Sequence, residues 1–401
     1  MPFIPKIEKI TQDTALSHFF LMFGYKLYSF YFPLYLVAKS FSIAQVGYTN
    51  FLIYLPIAVF APLAGFLNHK INPAILSAVG ILGYGIHAIG MIVFPNLPVF
   101  YLFQIVLGIS AALFFVSSRA ILMGSQLENY DRAFGWFYSA NSYAAAIAPA
   151  VGALFIWKFG FLGVFALSFV IQIINSIFCF SRLRKHTGQL ADDIKIKQSI
   201  QNYSSAFSGI KEKNTIGFVF ISFLVLILAG FNNTFFVLFL KDLNWSQNQI
   251  LIFNSLFYLV FIPLSFGIIK QLARSKSAIN ISRGSQIAGV FSVLLGALAA
   301  IVNFYSVFLL MLGTFIGSLI TDSGRSGLLS LKLKKYPEES AAIDTIFSPL
   351  ATAAGAIIGG FVILPLGYPL VFILLGLLIF TSGTLGFLFR SKIKGLKNQA
   401  I

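Results

Sequence analysis

The chain has 401 residues, of which 58% are hydrophobic and only 10% charged, whereas a soluble chain carries about a quarter charged residues. That balance excludes water as the main solvent, and 46 Phe with 14 Pro fit helices packed in lipid better than one oversized soluble core. The formal charge of +16 and the single cysteine, Cys179, call for explanations by topology and burial: one thiol forms no internal disulfide.

Residues 1 to 16 hold Lys6, Glu8, Lys9 and Asp13 and lack the apolar core and small-residue cleavage site of a signal peptide. The first span is therefore expected to stay. A crossing needs about 20 apolar residues to traverse roughly 30 Å of hydrocarbon. No Asp, Glu, Lys or Arg occurs between Lys70 and Arg119, a run too long for one crossing, and Pro95-Asn96-Leu97-Pro98 marks its turn. The run from Thr345 to Phe389 turns likewise at Pro365-Leu366-Gly367-Tyr368-Pro369, and Gly284 to Thr321 turns near Asn303. Spans are predicted at 14–38, 45–67, 73–94, 99–121, 133–157 and 159–181, then at 214–240, 247–269, 282–302, 305–327, 345–364 and 369–390.

Twelve spans put both termini on one side. If that side is cytoplasmic, 24 of the 28 Lys and Arg fall inside and only Lys39, Lys158 and Lys241 outside, with Lys26 inside a span. The positive-inside rule then selects this orientation, and the high charge needs no nucleic-acid partner. Residues 182–213, polar and bearing Lys195, Lys197, Lys211 and Lys213, read as a cytoplasmic linker with room for an amphipathic surface helix; the domains divide as 1–190, 191–213 and 214–401.

One half is written in the other. Leu52-Ile53-Tyr54-Leu55-Pro56-Ile57 matches Leu259-Val260-Phe261-Ile262-Pro263-Leu264 at an offset of 207. Ser118-Arg119 with Tyr130 matches Gly324-Arg325 with Tyr336 at 206, and Gly160 matches Gly367 at 207. Three matches at nearly one offset indicate a six-plus-six parallel repeat.

Twelve spans, a basic central loop and this repeat resemble the major facilitator superfamily over the whole chain. Its usual G-x-L-a-D-R-x-G loop after the second span is represented by Gly65-Phe66-Leu67-Asn68-His69-Lys70, with Asn68 in place of the acid. Its fourth-span R-x-x-x-G is represented by Gln104 and Gly108 without the arginine. Ala144, Ala148, Pro149, Gly152 and Ala153 stand where exporters of the family show G-x-x-x-G-P-x-x-G-G; small residues let helices approach closely and Pro149 can bend the span. The resemblance implies an all-α membrane protein of two six-helix bundles, with spans one, four, seven and ten around a central cavity.

Charge at membrane depth is expensive and marks function by default. Lys26 is the sharpest lead, about 18 Å of helix from either end of its span, with His18, Tyr25 and Ser29 on the same face. Gln104, Asn141, Asn232, Asn233 and Tyr258 are further cavity candidates, with Ser142, Tyr143, Asn254 and Ser255. His87, among Gly83, Gly85 and Gly90, reads as a packing histidine. Arg119 and Arg325 occupy matching places, and Asp322 one turn before Arg325 permits a local ion pair; with Asn68 and Lys70 they form a candidate inner gate whose contacts break during alternating access, although positive-inside anchoring explains the arginines equally well. No catalytic constellation, phosphate loop, metal site or cofactor site emerges.

The expected function is secondary transport of a small organic solute, anionic or amphiphilic, by a monomer in the cytoplasmic membrane, with protons as candidate coupling ion through Lys26, His18 or Asp322, and with efflux as the favoured direction. An uncoupled or inward-directed nutrient carrier, a membrane-embedded enzyme and a transport-dead sensor stay open as alternatives.

Overall fold

The computed structural model describes residues 5–29, 31–40, 43–94, 96–187, 196–211 and 213–389. Pro95 of the expected turn, the first linker residues with Lys195, and the C-terminal tail from residue 390 lie outside the described residues. Every regular element described is an α-helix. Among the described residues, eight helices are long and apolar enough to cross a bilayer.

The first crossing is broken into α1 (Lys9–Ser29) and α2 (Phe32–Ala38), after which α3 (Ile43–Lys70), α4 (Pro73–Val93) and α5 (Leu97–Gly124) follow. Helix α6 (Tyr130–Leu183) contains two crossings joined at Gly160, whose φ of 66° only glycine adopts readily. After α7 (Ile196–Lys211), the second half repeats the plan with α8 (Lys213–Asp242), α9 (Gln247–Leu272), α10 (Ser277–Ala297), α11 (Phe304–Lys332) and α12 (Pro337–Phe389), the last turning at Gly367 with φ 70°. The two glycines that match in sequence thus perform the same left-handed turn, and Pro56 and Pro263 of the matched hexapeptides both lie inside helices. Asn72, Asn96, Asn129, Ser246 and Asn303 cap the helices they precede, each satisfying a free backbone N–H.

Helices α1 to α6 pack on one another, as do α8 to α12, and the halves meet where α3 and α5 face α12 and where α6 faces α9 and α11. The end of the molecule at which α7 lies is called the linker end below. There Tyr203 of α7 donates to the Pro62 carbonyl of α3 at 2.8 Å. Helix α7 keeps Ala206 and Ile210 buried and leaves Ile200 and Phe207 exposed. The small-residue stripe has a direct structural use. Ala144 and Ala148 are fully buried, and Gly152 brings the α6 backbone against the Leu27 carbonyl of α1, where any added Cβ would overlap it. Pro149 completes the seam by offering its carbonyl to Tyr31 at 3.1 Å.

Candidate functional site

The gate candidates come together across the two halves. In the first turns of the eleventh crossing, at the start of α12, the fully buried Asp344 accepts from Arg325 Nε at 2.7 Å and from Ser326 Oγ at 2.7 Å. Arg119 of the first half stands 3.7 Å from the same carboxylate and donates to Thr345 Oγ1 at 2.7 Å. Tyr138 of α6 reaches Ser326 at 2.6 Å and Asp344 at 3.2 Å. The pair expected within α11 is present, Arg325 Nη1 donating to Asp322 at 2.7 Å. Two guanidiniums therefore share two carboxylates in a buried network. The Arg119 guanidinium also sits over the Phe115 and Tyr138 rings, at 5.6 and 5.5 Å.

Two flanking latches accompany this network. At the end of α3, Asn68 accepts from Ser117 at 2.8 Å and His69 meets Glu339 of α12 at 2.7 Å, so the charge contact of that loop runs through His69. Lys70 lies with its ammonium 5.5 Å from the Phe66 ring centre. On the other side Asp131 at the start of α6 accepts from Ser277 at 2.6 Å and Asn280 at 2.5 Å of α10, while Asn129 donates to the Ala273 carbonyl at 3.4 Å. Gly327 presses on Asp131 with no space for a side chain. All these bonds lie in the linker-end half of their helices, and Tyr143 with Ser265 adds another between α6 and α9. Asp131, His69, Tyr138 and Glu339 carry contacts that sequence reasoning did not single out. Asp344, which directly precedes the uncharged run that begins at Thr345, is the centre of the network.

The cavity candidates separate into two groups. His18 is enclosed: its Nδ1 donates to the Phe137 carbonyl at 2.8 Å and its ring packs on Phe137, Phe115 and Phe114 at 4.4, 5.3 and 5.8 Å. Gln104 is likewise interior, accepting from His87 Nε2 at 3.2 Å, while His87 Nδ1 takes the Tyr28 hydroxyl at 2.9 Å. Lys26 differs from both. It lies in the last turn of α1, which ends at Ser29, and so stands near a helix end. It is half-buried, and no described residue gives its ammonium a hydrogen bond or an ion pair. Ala15, Phe19 and Lys26, four and seven apart, share one helix face. Ala15 and Phe19 belong to a cluster with Trp136 of α6 and with Phe266 and Ile269 of the second half, so the stripe that Lys26 continues is the one facing the opposite half.

Tyr25 packs edge-on against Tyr28 and Tyr84 at 5.5 and 5.6 Å; Ser29 is half-buried. Asn141 and Asn232 each keep a buried side-chain oxygen without a partner, whereas Asn233 is exposed. Tyr258 packs with Phe257 and Phe315 at 5.4 and 6.0 Å.

A family model described as Major Facilitator Superfamily matches residues 14–343. The chain belongs to the major facilitator superfamily. It is accordingly a multi-pass membrane protein of a transporter family. Solved structures agree on the fold. The bacterial homologue of the iron transporter ferroportin in its outward-facing state matches with TM-score 0.71 at 13% identity, over 96% of this chain and 99% of that one. The E. coli fucose:proton symporter FucP matches with TM-score 0.69 at 11% identity, over 94% and 98%. The human organic anion transporter MFSD10 matches with TM-score 0.66 at 13% identity, over 94% and 99%. At these identities the likeness concerns the fold. No curated protein sequence matches the chain.

Proposed function

We propose that this superfamily member is a secondary transporter that moves a small organic anion or anionic amphiphile across the cytoplasmic membrane by alternating access. The observation that carries this reading is the ammonium of Lys26, without a hydrogen-bond or ion-pair partner among the described residues, on the α1 face directed at the opposite half. A lysine inside a membrane protein needs an anion or water, and the aromatic cluster on the face that Lys26 continues, Phe19 with Tyr143 and Phe266, offers ring faces and edges to an apolar body. Asn141 and Asn232, with unused acceptor oxygens, are assigned to the same cavity.

The buried Arg119–Arg325–Asp322–Asp344 network is assigned to the inner gate, closed here, with Asn68 and Lys70 at its edge. The basic asymmetry of the sequence assigns the linker end, both termini and residues 191–213 to the cytoplasm. The Ala144–Gly152 stripe resembles that of exporters, so the proposed direction is outward, with protons as the coupling ion.

Lys26→Met keeps the stem and removes the charge. In proteoliposomes, uptake of a panel of organic anions by this variant is expected to fall at least about tenfold, which is the loss of one charged contact worth about 1.4 kcal/mol or more, with expression and melting temperature near wild type. Unchanged flux of every anion tested, beside active wild type, would remove Lys26 from the site and with it the anionic assignment.

A further inference from the structure

The linker end holds a second cluster that the transport reading leaves unused. His69 ends α3, and Glu338 and Glu339 open α12. One imidazole nitrogen and two carboxylate oxygens, one from each residue, lie within 4.8 Å of one another. His69 Nε2 and Glu339 Oε1 are already 2.7 Å apart. We propose that these three side chains bind a divalent transition-metal cation, which ties the two halves together and holds the linker end shut.

One further observation points to a ligand, and charge and geometry agree with it. Glu339 is fully buried, yet its second oxygen, Oε2, has no hydrogen-bond partner; a buried carboxylate with a free oxygen is a group that a cation would satisfy. Charge agrees: neutral His69 with two carboxylates balances a divalent ion, whereas protonated His69 leaves one negative charge over. Metal–ligand bonds of about 2.0–2.2 Å hold donors about 3–3.5 Å apart, between the 2.7 Å of the His69–Glu339 contact and the 4.8 Å that spans all three, so side-chain rotations that spread the first pair and draw in Glu338 complete the set. Mixed imidazole and carboxylate donors suit Zn2+ or Mn2+ more than Mg2+ or Ca2+. Entry is provided at Glu338, which is only partly buried.

The functional consequence follows from where the ligands sit. His69 belongs to the first half and both glutamates to the second, so the full set exists only while α3 and α12 are in contact. A cation that binds one conformation better than another shifts the population toward it. The bound metal therefore acts as a clamp from the linker side, independent of whatever solute is carried.

The test uses the full-length protein in detergent with any affinity tag removed, titrated with ZnCl2 and MnCl2 by calorimetry, with CaCl2 for comparison. One equivalent of Zn2+ or Mn2+ is expected to bind, and Glu338→Gln and His69→Gln are each expected to weaken it by more than about 10–100-fold, the cost of losing even a supporting partner. Glu338→Gln leaves the His69–Glu339 bond in place, so its effect is not that of a broken latch. His186→Gln, which alters the separate His186–Asp13 pair, should bind as wild type. Spin-label distances across the linker end should shorten or narrow on adding the metal in wild type but not in Glu338→Gln. Absence of stoichiometric binding, or binding that survives both substitutions, overturns the site; binding without any change in the distances overturns the clamp.

Discussion

Asp344→Asn is the most direct perturbation of the closed linker end. The substitution preserves size and can still accept from Ser326 and Tyr138, but it removes the one carboxylate that both arginines approach, at 2.7 Å for Arg325 and 3.7 Å for Arg119. Asp344 and Arg325 are 0% and 2% exposed, and stripping one partner from a buried pair costs about 3–5 kcal/mol because a desolvated charge is left behind. Asp322 still holds Arg325, which argues for the lower figure. With the linker end open, water reaches both guanidiniums, so the penalty falls mainly on the closed state. About 3 kcal/mol is more than a hundredfold in an equilibrium constant, enough to bring a protein that is about 99% closed to near-even populations. Spin labels on either side of the linker end, in a Cys179→Ser background, should report a second and longer distance. Tyr138→Phe should move the distribution the same way by less, since a single hydrogen bond contributes about 0.5–1.5 kcal/mol. Combining Asp344→Asn with Arg119→Gln should restore part of the closed population, because the partners are coupled. An unchanged distribution in Asp344→Asn, in a protein that still melts cooperatively, would show that the carboxylate supports both conformations equally and is no gate.

Two further outcomes separate structural from functional candidates. Gln104→Leu leaves His87 Nε2 without its 3.2 Å acceptor, which should lower stability by about 1–3 kcal/mol and the melting temperature with it, while substrate affinity per folded molecule stays at the wild-type value; a selective loss of affinity would return Gln104 to the cavity. For topology, an impermeant thiol reagent added outside intact cells should label Tyr305→Cys, which is 77% exposed next to the Asn303 cap, and should spare Lys197→Cys on α7; the reverse pattern would invert the molecule.

Much of the fold is legible in the sequence because its determinants are local or repetitive. Gly160 and Gly367 stand at matching places and both adopt positive φ, since a turn between two long apolar helices needs that backbone wherever it recurs. The Asp322–Arg325 pair is legible too, being three residues apart on one helix. What escapes is contact between distant segments. Helix periodicity groups His18 with Lys26, but it says nothing about the neighbour each one meets: His18 finds the Phe137 carbonyl, while Lys26 finds no partner among the described residues. Thr345, next to Asp344, lies 226 residues from the Arg119 that donates to it, and Glu339 lies 270 from His69. One signal was present: Tyr138 and Asp344 differ by 206, the same offset that relates Arg119 to Arg325. The repeat itself therefore pairs the two side chains that meet at the proposed gate.

That pairing also bears on how the proposed gate and the proposed cavity differ in charge balance. At the linker end the repeat is broken chemically, with a phenol in the first half where the second has a carboxylate, and the two arginines are balanced by Asp322 and Asp344 from the protein itself. Such an interface closes without a carried solute. The cavity has no comparable internal balance, because Lys26 has no described counter-ion. Closing the opposite end over Lys26 takes the ammonium from water, and an uncompensated buried charge is strongly unfavourable. A bound anion supplies the missing partner, so on the proposed reading the empty wild-type protein rests with the linker end closed and moves only when loaded. Lys26→Met removes this restraint. Labels placed across the end opposite the linker should then show the short, closed distance without any anion, whereas wild type should show it only with one. If wild type samples that closed distance equally with and without anions, the ammonium does not govern the transition, and the coupling of occupancy to movement must reside in other residues.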